Sequence, residues 1–348
     1  MQIQELEITE INLPELEGDD AVQLNDLRNK LRLERTPDDP PIPLQEDLQG
    51  WRNIPNFVEL KYWAVWDAAH TQMVANAFVE SWNKEDNQHL AEFEIYVRPE
   101  YRRQGLGKRL LRLAAEETRR RSRRLLICFS SSTLPSAEAC LQLLEAQRGL
   151  EARESQLVLE ELDRQVVQDW LKKSSPLNEE YEIGFWLGPY PENQLEAICE
   201  LYLIGNDEPR DLLEIEDETW TPEQVRSMEK HREARGTERW TCYVRHKSSG
   251  RFAGETEVFY NPNRAHILGQ GFTGIHPDFR CQGLGRWIKA VMMEKVLAER
   301  PQVKVIRTGN AESNASMLKI NTELGFKPYL SHTVWQVETD QLFSYLGS

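Results

Sequence analysis

The sequence predicts an α/β protein of two tandem domains, each a mixed central sheet flanked by helices. The pattern Arg-x-x-Gly-x-Gly occurs at Arg102–Gly107 and again at Arg280–Gly285, 178 residues apart from Arg102 to Arg280. Strand-like and helix-like periodicities alternate in one order around both copies. At that offset Pro99 falls on Pro277, Tyr101 on Phe279, Ala75 on Ala253, and Tyr62–Trp66 on Trp240–Val244. A repeat of this length is a duplicated domain and not a solenoid unit.

In the first copy, strands are expected at Tyr62–Trp66, Val74–Trp82 and Ala91–Val97. A helix from Gly107 follows, with Leu110, Leu111, Leu113 and Ala114 on its apolar side, then a strand at Leu125–Phe129 and another helix. The second copy gives strands at Trp240–Arg245, Phe252–Tyr260 and His266–Ile275, a helix from Gly285 to about Ala298, and a strand at Val303–Arg307. Ser155–Leu159 reads as the counterpart of His332–Gln336. The polar run Lys172–Pro176 breaks the periodicity, which sets the expected domains at residues 1–173 and 177–348. The Pro- and acid-rich stretch Arg35–Asp47 reads as an exposed loop near the first substrate entrance.

Composition narrows the function classes. A chain of 348 residues with 40% apolar and 28% charged residues suits two globular domains with their own cores. No apolar run approaches the roughly 20 residues of a membrane span, and Met1–Glu5 lacks the start of a secretion signal, so a cytoplasmic protein is expected. Five scattered cysteines give neither a disulfide framework nor a zinc knuckle, and no paired metal spacing occurs, so no metal is expected. A net charge of −15 disfavours nucleic acid and favours cationic amines. The basic run Arg119–Arg124 reads as a solvated helix C-terminus.

The repeated loop carries the chemistry. A strand ending at Val97 or Ile275, a Gly-rich turn and then a helix present uncapped N–H groups at the positive end of a helix dipole, which is an anion cradle. Gly105, Gly107, Gly283 and Gly285 leave room for a phosphate, and Arg102 and Arg280 can add charge-assisted hydrogen bonds. A Walker loop fails because Arg109 follows Lys108, and a dinucleotide fingerprint fails because Leu110 and Ile288 stand where its third glycine belongs. Gly269-Gln270-Gly271-Phe272-Thr273-Gly274 matches that fingerprint only inside a strand pattern. Those glycines read as a bulge or a close backbone approach.

Val97–Gly107 and Ile275–Gly285 both resemble motif A of the GNAT acetyltransferases, whose loop grips the pyrophosphate of acetyl-CoA. The resemblance implies two tandem GNAT-like domains and acetyl-CoA as co-substrate. It also implies cofactor-binding roles for Val97, Arg102, Arg103, Gln104, Gly105, Leu106, Gly107 and Lys108, and for Ile275, Arg280, Cys281, Gln282, Gly283, Leu284, Gly285 and Arg286. Thr308–Asn321 leading into Leu324-Gly325-Phe326 resembles the family's second block, where an Asn meets the pantetheine arm; Asn314 is the match. The tandem architecture and Asn-rich run resemble the mycothiol synthase-like group. In the first copy Glu138 is read at the Asn position and Arg148-Gly149-Leu150 at the block's end. The second domain is therefore expected to be catalytic and the first non-catalytic.

A substrate amine must lose a proton before it attacks, so a carboxylate is the natural base. Glu257 is the first candidate and Glu255 the next, although both also suit a solvated strand face. Glu92 and Glu94 line the cofactor strand of the first copy, where the second has Gln270 and Phe272. Backbone N–H groups near Thr273–Ile275 are candidates for an oxyanion hole. The family's general-acid tyrosine falls on Asn321, which leaves Tyr329, water or an unassisted thiolate. Cys281 near His276 offers an acyl-carrying alternative, which its place in the loop argues against. The expected activity is acetyl-CoA-dependent N-acetylation of a primary amine on a small molecule, by a monomer or homodimer without nucleic-acid or membrane partners. A non-catalytic acyl-CoA-binding protein is the alternative.

Overall fold

A computed structural model describes residues 6–347, so the reading of Met1–Glu5 lies outside the described residues. The first copy runs β1 (Ile8–Ile11), α1 (Gly18–Arg35), α2 (Leu44–Arg52), β2 (Val58–Trp66), β3 (Met73–Trp82), β4 (Leu90–Val97), α3 (Leu106–Arg120), β5 (Leu125–Ser131), α4 (Pro135–Leu143), β6 (Gln147–Val158) and α5 (Arg164–Ser174). The second runs β7 (Tyr181–Leu187), α6 (Leu195–Tyr202), α7 (Pro222–Ala234), β8 (Glu238–His246), β9 (Phe252–Tyr260), β10 (Ile267–Ile275), α8 (Leu284–Glu299), β11 (Val305–Ala311), α9 (Ala315–Glu323), β12 (Lys327–Glu338) and α10 (Thr339–Leu346). Local chemistry sets several boundaries. Thr221 and Gln224 form a reciprocal capping box with Pro222 at the first turn of α7. Asn314 caps α9 by accepting from the Met317 N–H.

The chain divides into two compact units, and neither is a contiguous half. One comprises the residues up to Glu151 together with Arg210–Glu216 and everything from His332. Its strands run β1-β2-β3-β4-β5, and His332–Glu338 of β12 pairs antiparallel beside β5. On one face α3 and α10 bury Leu106, Leu110, Ala114, Leu342 and Phe343 against the sheet. On the other, α1 and α2 cover Tyr62, Ala64 and Trp66. Leu213 and Ile215 lie over Leu90, Leu125 and Ile127.

The other unit comprises Ala152–Pro209 and Asp217–Ser331. Ala152–Val158 of β6 pairs antiparallel with β11, and the order continues β11-β10-β9-β8-β7. Helices α5 and α8 bury Val167, Trp170, Trp287 and Ile288 on one face. Helix α6 and Val225 of α7 pack Leu195, Ile198 and Leu201 with Trp186 on the other.

This division corrects the expected domains at 1–173 and 177–348. The place beside β5 is filled by the last strand of the second copy, and the place beside β11 by the last strand of the first. The repeat offset also lengthens along the chain. It is 178 at the Gly loops, while β5 and β11, α4 and α9, and β6 and β12 align at 180, from Leu125 to Val305. Ser155 therefore matches Trp335 and not His332. Within Arg35–Asp47, residues 36–43 form the expected loop, while Arg35 ends α1 and Leu44–Asp47 opens α2. Asp47 is 2% exposed and accepts from Asn25 at 2.9 Å.

Candidate functional site

Each unit builds the same cradle from its own sequence. Gly105 and Gly283 both stand at φ +88° with open space where a β-carbon would sit. Two residues earlier, Arg103 at φ 60° and Cys281 at φ 64° are also left-handed, a conformation that non-glycine residues adopt at a cost. Alternating left-handed residues turn successive N–H groups inward as a nest. Among the described residues, the N–H groups from Arg103 to Lys108 and from Cys281 to Arg286 meet no protein acceptor. Two runs of unpaired amides, each opening a helix, fit a diphosphate such as that of acetyl-CoA.

The arginines of the motif act differently from the expectation. Arg102 donates from Nε to the Val97 carbonyl at 2.8 Å and from Nη2 to both oxygens of Glu34 at 2.8 Å. Arg280 repeats this, with Nε on the Ile275 carbonyl at 2.9 Å and Nη2 on Asp207 at 2.6 Å. These guanidinium groups tie the loop to the end of the preceding strand instead of standing free for a phosphate. Their partners lie far away in sequence, which hid this role. Gln104 donates to Glu100, and Gln282 accepts from the Tyr181 hydroxyl at 2.8 Å. Arg286 is held by Glu323 at 2.8 and 2.9 Å, and Lys108 lies over the Tyr345 ring. Leu106 and Leu284 are buried and anchor their helices.

Beside each cradle a cleft opens. In one unit β4 and β5 pair in parallel only from Leu90–Glu92, and in the other β10 and β11 pair only from Ile267–Gly269. The copies differ beyond that point. β4 pairs with β3 without a break from Glu92 to Val97, whereas β10 bulges between Gln270 and Thr273. This bulge is where the sequence placed a close approach. A β-carbon on Gly271 would lie 2.8 Å from Glu257 Oε1 and 2.5 Å from the Phe259 ring, and one on Gly274 would strike the Phe272 ring.

The bulge meets the two carboxylates of β9. The Phe272 N–H hydrogen-bonds Glu257, whose Oε2 has no partner among the described residues. Glu255 is 1% exposed, and neither of its oxygens has a partner. Burial, and then the neighbouring Glu257, push Glu255 up to about 8, and burial raises Glu257 as well. The expectation of a solvated face thus fails for both. In the first unit Glu92 is half-buried and pushed up to about 8 by burial, then by Glu80 and Glu94. There Glu94, Tyr96 and Arg35 form a hydrogen-bonded trio.

The second block also differs between units. Asn314 Oδ1 accepts from Met317 N–H at 3.2 Å and from Ser316 Oγ at 3.1 Å, so its amide nitrogen is the group left to meet a ligand. Asn321 is 2% exposed and donates to Asn310 at 2.8 Å, while its Oδ1 is unpartnered. In the first unit Leu134 occupies the cap position of Asn314, and Leu141 occupies the position of Asn321. Glu138 therefore stands opposite Leu318, which corrects its reading as the Asn equivalent. The block ends at Leu144-Glu145-Ala146 and not at Arg148-Gly149-Leu150. Glu145 at φ 54° and Gly325 at φ 93° make the same left-handed turn and equivalent hydrogen bonds. The structure sets Tyr329 against Arg307, which stacks on its ring at 4.4 Å and donates to its hydroxyl at 3.3 Å.

Other candidates find structural places. The Arg119–Arg124 run is tied into the fold, with Arg121 on Glu117, Glu59 and Ser81, and Arg124 on Glu214 and Glu338. His276 caps its turn by accepting from Asp278 N–H. No helix of the described residues is long and apolar enough to cross a membrane, and none of their His, Cys, Asp and Glu side chains gather as a metal-binding group.

Comparison with known proteins bears on the fold. The model of the acetyltransferase (GNAT) family matches residues 24–143. A tandem GNAT protein from the clavulanic acid biosynthesis pathway is 24% identical, with a TM-score of 0.76 over 96% of this chain and 99% of that one. A GCN5-related N-acetyltransferase from Sphaerobacter thermophilus is 13% identical, with a TM-score of 0.63 over 97% of each chain. Both likenesses are of fold, and they reach the tandem architecture without singling out the mycothiol synthase-like group. No match is found among curated proteins. Residues 24–143 thus match the GNAT acetyltransferase family model, in a chain built on the tandem GNAT fold.

Proposed function

We propose that the chain transfers an acetyl group from acetyl-CoA to a primary amine of a small molecule, in the cytoplasm, as a monomer or homodimer. The C–S bond of the thioester breaks, a C–N bond forms, and the amine proton leaves to a base. Acetyl-CoA supplies the activated acetyl group. The chain's part is to hold its diphosphate, admit the amine and move protons. The unpaired amides of Cys281–Arg286, the cleft between β10 and β11 and the free amide nitrogen of Asn314 would hold it in the second unit.

The observation that carries this assignment to the second unit is the Gly271–Phe272 bulge, which brings a backbone N–H onto Glu257 and is missing from β4. Glu257, once ionised, is a strong base because burial disfavours its charge. Tyr329, whose oxygen accepts from Arg307, is proposed to protonate the departing thiolate. The first unit lacks the polar second block, and a non-catalytic cofactor-binding role follows for it. A second reading places chemistry in the first unit and is favoured by one observation, the raised Glu92 on β4.

Thiol release from acetyl-CoA across an amine panel, with calorimetry of acetyl-CoA binding, tests these readings. Gly283→Asp is expected to abolish turnover, while Gly105→Asp changes stability or binding stoichiometry. The reverse pattern moves the active site to the first unit. Binding without turnover on any amine would instead support a non-catalytic acyl-CoA-binding protein.

A further inference from the structure

The parallel strand pairs fix which residues of β4 and β10 correspond. Leu90, Ala91 and Glu92 stand opposite Leu125, Leu126 and Ile127, while Ile267, Leu268 and Gly269 stand opposite Val305, Ile306 and Arg307. Glu92 therefore matches Gly269, 177 residues on, and Gln270 matches Phe93 instead of Glu92. Past the bulge Val97 matches Ile275, 178 residues on, so the bulge is one residue that β4 lacks. Phe93 is 5% exposed in the core under α3. Gln270 pairs with Val258, which lies in the core under α8, so a polar amide occupies the place that the first unit gives to an aromatic ring.

That amide closes the bulge. Gln270 Nε2 donates to the Glu257 carbonyl at 2.7 Å and to Thr256 Oγ1 at 3.1 Å, with the Gly271 carbonyl and Thr273 Oγ1 each at 3.4 Å. The buried Thr256 and Thr273 hydroxyls share a hydrogen bond of 2.7 Å at the first ladder pair past the bulge. A bulge breaks the ladder locally, and a buried carbonyl left without a donor costs free energy comparable to a lost hydrogen bond. The Gln270 amide brings two donor hydrogens to that gap, whereas neither an aromatic ring nor an ionised carboxylate brings any. Thr256 alternates with Glu257 along β9, so Gln270 works from the sheet face opposite the carboxylate and reaches it only through the main chain. Glu257 is thus held twice, its carbonyl by Gln270 and its carboxylate by the Phe272 N–H.

We propose that Gln270 is a positioning residue for acetyl transfer in the second unit: by holding the Glu257 carbonyl it fixes the one-residue bulge that turns the Phe272 N–H onto the Glu257 carboxylate. This rests on Glu257 being the base of that unit. It also accounts for the difference between the copies, since β4 pairs with β3 without a break and has Phe93 where a donor would be needed.

The test combines amide exchange with kinetics on the full chain. Gln270→Met keeps the side-chain length and removes both donors, and Gln270→Glu keeps the shape and puts acceptors in their place. The two differ in polarity, so a folding defect in one leaves the other to report. With isotope-labelled phenylalanine, and the Phe272 amide signal identified by its loss in Phe272→Leu, both variants are expected to shift that signal and to speed its hydrogen exchange about tenfold or more. Their kcat on the best amine should fall by about tenfold to 100-fold, while KM for acetyl-CoA stays within about twofold because the Gly283 cradle is untouched. Gln270→Met should keep the wild-type Tm. On a Gly271→Ala background it should cost less than about twofold more, the mark of two residues acting through one element. An unmoved Phe272 signal, a kcat that falls only in step with Tm, or losses that multiply in the double variant overturn the inference. Wild-type turnover by Glu257→Gln would sink the reading of Glu257 as base, and the Phe272 signal would still decide whether Gln270 holds the bulge.

Discussion

Gly271 and Glu257 touch across the bulge so closely that a β-carbon on the glycine would stand 2.8 Å from the carboxylate oxygen. The carboxylate keeps its hydrogen bond to the Phe272 N–H only because residue 271 has no side chain. Gly271→Ala is therefore expected to push Glu257 and Phe259 aside. Turnover of the best amine should fall by about 100-fold, since a misplacement near 1 Å has that effect. Steady-state kinetics check this, with acetyl-CoA affinity as the control that should hold.

The Arg280–Asp207 pair makes an unusual prediction. Taking a carboxylate away from an anion site ordinarily strengthens anion binding. Here Asp207 holds the arginine that fixes the loop, so Asp207→Ala should weaken acetyl-CoA binding, by up to about fivefold for a partly exposed pair. Calorimetry on the two single variants and the double variant should show non-additivity. Stronger binding by Asp207→Ala would mean that Arg280 reaches the phosphate directly.

Glu255 ties stability to pH. Its folded value of about 8 lies above the usual 4.5, so the folded chain holds the proton more tightly than the unfolded one. The resulting stabilisation is whole below about pH 4.5 and is lost as pH rises through 8. Urea unfolding should show wild type losing up to a few kcal/mol across that window, and Glu255→Gln should flatten the loss.

Lys289 works in the opposite sense. Burial alone lowers it from 10.5 to about 7, so the unfolded chain gains a proton below pH 10.5 that the folded chain refuses until about 7. Stability should decline as pH falls through that range and then level. Lys289→Met, which keeps the packing stem, is expected to raise stability at pH 7 by a few kcal/mol, read as an increase in Tm.

Fragments 1–176 and 177–348 each lack parts of the unit they would need to complete. The first lacks Arg210–Glu216, His332–Glu338 and α10, and the second lacks Ala152–Val158 and α5. Each alone is expected to give broad, poorly dispersed amide spectra, and co-expression should recover a cooperative melt.

Both glycine loops, their strands and their helices were legible because a left-handed turn before a helix leaves a local mark in the residues themselves. The decoy around Gly271 was also readable, since its glycines interrupt a strand pattern. The second block of the first copy was misaligned by the false ending at Gly149, whose missing β-carbon makes room for Leu213 instead. The clamps on Arg102 and Arg280 depend on Glu34 and Asp207, and no spacing rule links residues so far apart. Strand exchange is silent in sequence for a related reason: an alternating pattern specifies a buried face but not a neighbour.

Synthesis from the ribosome meets this arrangement in an awkward order. The unit begun by the first residues waits for a strand that emerges only with His332–Glu338, so its β5 edge stays unpaired through nearly all of translation. A premature stop late in the message would thus strike first at the part of the protein made earliest.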